Sequence, residues 1–380
     1  MTTTKPATQG VEPPRSRRNM LVVVVAAAIF SAGCAGSTSQ EGLADSDATS
    51  EGETQADAES TSEGETPSDP TSDSDTVTAP VGSEAPVGAE GTIVLRLEDG
   101  FYRLPADGSG DPTSLSAALD DISPGDDGWI ASSRNGEWLI MDTERFGCED
   151  WACLVVARSD LTETTMVQAA NDLVHTQDWG AISDDGTLII FTTDEGPNDL
   201  DQAVLHATGD GWSAPEMITG SSPYAFNERG RITPDGTTVV FDCGPSQYGQ
   251  EGTGVCQISL GGGEIERLVA PEDGTDATSS NAARGGDITP DGSLIFEADW
   301  GGTERLWQRL SDGTTTIHSG FDNDNSPCVL PDGSLASLWL AREGNTNGVH
   351  ELKIHAADAS TYEVLLPNVD VVDGSIHCSG

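Results

Sequence analysis

The sequence predicts an all-β chain folded as a six-bladed β-propeller behind a long acidic segment. Three observations carry that expectation. A short unit, in which an apolar residue meets a Pro-Asp-Gly-type turn and then an apolar run, recurs five times. Across residues 91–380, aliphatic and aromatic residues come in short bursts separated by turn residues, the pattern of many short strands. The two ends of that region also read as complementary parts of one more unit.

The five copies centre on Gly136, Gly186, Gly236, Gly292 and Gly333, spaced by 50, 50, 56 and 41 residues. Three hold Pro-Asp-Gly: Pro234-Asp235-Gly236, Pro290-Asp291-Gly292 and Pro331-Asp332-Gly333. Two are degenerate: Ser133-Arg134-Asn135-Gly136 and Ser183-Asp184-Asp185-Gly186. In each unit Pro fixes φ and Gly supplies the positive φ that a tight hairpin needs. A β-branched or aromatic run such as Thr238-Val239-Val240-Phe241 follows as the second strand. A third strand comes after a variable loop, as in Leu154–Ala157, Ala203–His206, Val255–Ile258, Arg305–Gln308 and His350–Ile354. Another turn and a fourth strand complete a blade.

Residues 92–108 look like outer strands without an opening unit, and residues 369–376 like an opening unit without outer strands. Pairing them closes a sixth blade and gives about 48 residues per blade. A seven-bladed ring, the alternative, needs shorter units than most of those present. The repeat resembles the WD40-like repeat of TolB-type six-bladed propellers, which centres on Ser-Pro-Asp-Gly before an apolar strand, over about 250 residues. That resemblance implies a non-catalytic envelope scaffold that binds a protein or a glycan. The runner-up function is a carbohydrate-active lyase or hydrolase with its site in the propeller funnel.

Residues 1–33 read as an export signal: a basic stretch, an apolar run from Leu21 to Phe30, then Ser31-Ala32-Gly33 before Cys34. The last four residues resemble a bacterial lipobox, with Ser31 at the usually aliphatic position, which makes Cys34 the expected lipidation site. Ser16-Arg17-Arg18-Asn19-Met20-Leu21 also resembles a twin-arginine signal. Stable anchoring needs two or three acyl chains. The expected location is therefore the cell envelope, with the membrane engaged through the lipid. Residues 34–90, whose 56 residues after Cys34 hold 14 acids and no base, lack apolar residues to bury. They are expected to be a disordered tether spanning roughly 40 Å. The propeller is assigned to residues 91–380 and is expected to be monomeric.

The net charge of −47 excludes nucleic acid as a partner, since the field repels phosphate backbones. Lys353 is the only lysine after Lys5. Six cysteines remain besides Cys34, an even number that suggests disulfides in an exported chain. The repeat places Cys148 with Cys153, and Cys243 with Cys256, at the same hairpin position of their blades. Cys328 and Cys378 are left, and their pairing would lock the ring closure. No two cysteines have the spacing of a zinc knuckle, and no cofactor or metal site is assigned.

No Gly-x-Ser-x-Gly elbow occurs, and no catalytic residue is assigned. His175, His318 and His377, placed nearest the inner edge, are the candidates should a lyase-like metal site exist. Acids and amides that precede opening units fall where the chain crosses toward the next innermost strand. Asp127, Asp178, Glu228, Asp324 and Asn325 are accordingly the candidate funnel-rim binding residues. The Asp of each Pro-Asp-Gly is a turn residue, not a ligand.

Overall fold

The computed structural model describes residues 82–148, 153–173, 179–247, 252–274, 282–340, 350–369 and 371–380. Cys34, His175 and Asp178 lie outside them. The described residues form six antiparallel sheets arranged as a ring.

The first blade runs Asp127–Ser132, Trp138–Thr143, Cys153–Arg158 and Thr164–Met166, from the innermost strand outward. The second runs Ala181–Ile182, Leu188–Thr193 and Asp201–Thr208, with Glu216–Met217 outside. The third is Phe226–Ile232, Thr238–Gly244, Gly254–Ser259 and Glu266–Val269, and the fourth is Ala283–Ile288, Leu294–Ala298, Arg305–Arg309 and Thr315–Ile317. The fifth is Asp324–Val329, Leu335–Leu340, His350–His355 and Thr361–Val369. The sixth closes the ring as expected: the late strand Val371–Ser379 is innermost and pairs with Thr92–Leu97, followed by Gly100–Pro105 and Thr113–Ser114. Strand pairing reaches upstream of residue 91, where Ser83–Glu84 pairs in parallel with Thr361–Tyr362 at the outer edge of the fifth blade.

The turn chemistry is as the repeat dictates. Gly136, Gly186, Gly236, Gly292 and Gly333 sit at φ between 67° and 85°. Each donates its N–H to the carbonyl three residues back, for example Gly236 to Thr233 at 2.9 Å. A side chain at the glycine would also collide at Gly186, whose Cβ would stand 2.2 Å from the Trp138 ring.

Period-2 alternation puts apolar residues on both faces of the second strands, because each blade is covered on both sides. Ile140 faces the second blade, while Leu139 and Met141 face the sixth. Val239 and Phe241 face the second blade, and Val240 faces the fourth. Among the described residues, the buried apolar side chains form six clusters, one between each adjacent pair of blades.

Three disulfides form: Cys148–Cys153, Cys243–Cys256 and Cys328–Cys378, with Cα–Cα distances of 5.8, 5.9 and 5.5 Å. The third joins the innermost strands of the fifth and sixth blades, across the closure. Such bonds mark a chain that folds in an oxidising compartment. One α-helix, Leu115–Ile122, leads from the sixth blade to the first. Ser114 caps it by accepting the Ala117 N–H at 3.0 Å, and Leu115 and Leu119 pin it to the core. Among the described residues, no helix is long and apolar enough to cross a membrane.

Candidate functional site

The ring has two faces. One carries the inner hairpin turns, and the other carries the crossovers into each innermost strand, where the rim acids were expected. On the crossover side Asp127, Glu228 and Asp324 have their side chains buried in the blades. Asp127 opens the first innermost strand with its side chain 4% exposed. It accepts hydrogen bonds from Arg145 Nε at 2.8 Å and Nη2 at 3.0 Å, from Thr143 Oγ1 at 3.2 Å and from the Ser116 hydroxyl. Arg145, equally buried, also reaches Asp120 at 2.6 Å and the Ser123 carbonyl at 3.0 Å.

Glu228 is buried in the third innermost strand, beside Asp242. Burial pushes the Asp242 carboxyl up to about 7; Arg229 opposes that rise and Glu228 adds to it. Asp242 accepts the Gly285 N–H of the next blade at 2.8 Å. At the matching position of the fourth blade, Glu297 accepts the Ser326 N–H of the fifth. These contacts hold a bulge that recurs in the innermost strands. Arg229, Gly285 and Ser326 take φ of 59°, 64° and 51° there. Asp324 is fully buried beside Lys353 and His355, and Asn325 is half-buried opposite Leu338. Asp127, Glu228 and Asp324 thus occupy three separate clusters, each with its own partners.

The charged groups that do converge lie in the central channel. Register places Ala131, Ala181, Arg231, Asp287, Cys328 and His377 at equivalent positions of the six innermost strands. Arg134, from the degenerate first turn, ion-pairs with Asp287 and donates its Nε–H to the Ile232 carbonyl at 2.9 Å. Arg231 meets the other Asp287 oxygen at 3.2 Å, and that oxygen also accepts the Val329 N–H at 2.9 Å. Burial alone would raise the Asp287 carboxyl, but the two guanidiniums hold it below the ordinary range. His377 stands edge-on to Trp129 at 5.0 Å. Burial pushes it well below the usual histidine value, and Arg231 pushes the same way. The cavity left among these residues is about 40 Å³, room for a few waters at most.

Above this seal, on the turn face, the channel opens into two adjoining cavities of about 290 and 300 Å³. Both are lined by Arg134, Asp184 and Pro234, and the first adds Pro290 and Pro331. The three prolines are exposed and occupy matching turn positions. The turn acids are occupied as expected. Asp185, Asp235 and Asp291 accept hydrogen bonds from the hydroxyls of Ser183, Thr233 and Thr289, foremost among the contacts that hold these carboxyls below the ordinary range.

His318 is not at the inner edge. It continues the outermost strand of the fourth blade, its N–H bonded to the Leu306 carbonyl at 2.8 Å, and burial pushes it to about 4. Among the described residues, no three His, Cys, Asp or Glu side chains gather to hold a metal.

Two features escaped the reading of the sequence. Arg134 stands where three of the four other copies carry Pro, and that departure was the available sign of a residue reaching elsewhere. Arg231 and Asp287 likewise stand five residues before their turn glycines, Gly236 and Gly292, so their alignment was present in the repeat spacing.

No protein-family model and no curated protein matches the chain. Solved structures do. TolB from Acinetobacter baumannii superposes with a TM-score of 0.53 at 17% identity, covering 76% of this chain and 66% of that protein. This chain therefore spans just under two thirds of that TolB. A chain of a nidogen/laminin complex superposes at 0.52 with 13% identity, covering 76% of this chain and 99% of that one. The fold is a TolB-like six-bladed propeller. At these identities the likeness is one of fold.

Proposed function

We propose that this protein is an exported, lipid-anchored scaffold whose propeller binds a partner at the turn face. The observation that carries this reading is the pairing of an open mouth with a sealed floor. The two cavities sit over the Arg134–Asp287–Arg231 bridge, so they form a shallow basin and not a passage.

The titratable groups of the basin suit binding better than chemistry. A general acid at neutral pH needs its pKa raised toward 7. Here the turn carboxyls are pushed the other way. The carboxyls pushed up, Asp242 and Asp324, are enclosed in the blades. Pro234, Pro290 and Pro331 offer rigid apolar contact, and exposed Asp184 offers negative charge beside them. That surface fits a protein segment inserting an apolar or basic side chain. The nidogen/laminin complex supplies the precedent of such a fold in an assembly of two proteins, at the level of fold only.

The experiment is capture from chemically crosslinked membranes with the wild type and a Pro234→Arg/Pro331→Arg variant. These prolines lie on exposed turns, so the ring should fold in both. Recovery of one protein by the wild type and its loss with the variant is the expected result. Equal capture by both, or elution of the captured material by free glycan, would overturn the assignment. A Cys34→Ala variant released from the membrane fraction is the matching result for the anchor.

A further inference from the structure

We propose that Lys353 and Asp324 condense into an intramolecular amide, tying the innermost strand of the fifth blade to its third strand. Lysine belongs at protein surfaces because its ammonium is strongly hydrated. Yet the only lysine of the propeller has its side chain 4% exposed. Its Nζ lies 4.2 Å from the centre of the Phe321 ring, 4.6 Å from Trp339 and 5.6 Å from Tyr362. On the remaining side, Asp324 Oδ1 stands 3.6 Å away, fully enclosed and without a hydrogen bond.

The other Asp324 oxygen, Oδ2, accepts the Ser319 hydroxyl at 2.5 Å and faces His355 Nε2 at 3.6 Å. His355 Nε2 also shares a hydrogen bond with Ser337 Oγ at 2.9 Å. Burial pushes the carboxyl up to about 6 and the ammonium down, so both partners move toward their neutral forms. Those are the forms that react. The neutral Nζ attacks Cγ, and the new N–C bond forms as the C–Oδ2 bond breaks. Oδ2 leaves as water with its own proton and the one displaced from nitrogen, which His355 Nε2 carries across. No oxidant or co-reactant is needed. The aromatic wall keeps bulk water from the reacting atoms and from the product.

A plain buried ion pair is the competing description, and covalent chemistry separates the two. The full chain is denatured, reduced, alkylated and digested with trypsin, which cuts after Arg309, Arg342 and an unmodified Lys353. The expected product joins segment 310–342 to segment 343–380, lighter than their sum by one water and uncut at Lys353. Lys353→Arg should release the segments separately, with cleavage after residue 353. Because the decisive reading is taken on the wild type, poor folding of a variant leaves the test intact. Three linear wild-type peptides, 310–342, 343–353 and 354–380, with a free Lys353 amine, would overturn the proposal.

Discussion

Replacing Arg145 by Met tests whether the acids at the crossovers are structural. The perturbation removes four hydrogen bonds, two of them to Asp127, and keeps most of the side-chain volume. Asp120 is 58% exposed and regains water, so its share is small. Asp127 is 4% exposed and would stay buried as an uncompensated charge. Breaking such a pair from one side destabilises by about 3–5 kcal/mol. With an unfolding entropy of about 2.1 cal/mol/K per residue over residues 82–380, that lowers Tm by roughly 5–8 °C. The assay is thermal denaturation by circular dichroism at pH 7, run alongside a second variant carrying Asp127→Asn as well. Neutralising the stranded carboxylate should restore half or more of the loss. A single variant within about 1 kcal/mol of wild type, or a double variant no better than the single, would refute the reasoning.

Three further outcomes follow from the same structure. Asp242 holds its proton up to about pH 7 in the fold but ionises near pH 4 once unfolded, so its contribution to stability falls as pH rises through that window. Asp242→Asn should therefore gain on wild type progressively from pH 4 to 7 in urea melts, with no gain below pH 4. Removing the Cys328–Cys378 bond by paired Ser substitutions should cost about 4 kcal/mol by chain entropy for its 50-residue separation, read as a lowered urea midpoint. Residues 91–380 hold 13 basic and 49 acidic side chains, a net charge of −36 that makes the ring repel itself, so its Tm should rise from low salt to molar NaCl; a flat response would refute that self-repulsion limits its stability.

The ring, its closure and its three cross-links were legible because each is written into a local repeat. Pro-Asp-Gly states where a hairpin turns, and position within the unit states which strand a cysteine joins. The fate of the crossover acids was not legible. Asp127 finds Arg145 18 residues on, and Asp324 stands against Lys353 on a strand two places away in the sheet. Nothing local in an Asp-rich crossover distinguishes an acid facing solvent from one turned inward by a bulge to meet a distant cation. The channel seal was half legible: the odd residue of the first turn could be seen, but its target, Asp287, is 153 residues away. The helix Leu115–Ile122 went unforeseen because its few apolar residues also suit a strand.

The closing blade also sets a birth order. Its innermost strand, Val371–Ser379, comes last of the ring's strands in chain order, yet it must pair with Thr92–Leu97, among the first strands of the ring. Until it docks, the sixth blade lacks its innermost strand, and the apolar faces that blade shares with the fifth and first lie open to water, chaperones and proteases. Until then the ring is an unfinished arc. Quality control has a single late event to watch, the docking of that strand, followed by oxidation of Cys328 with Cys378 as its seal.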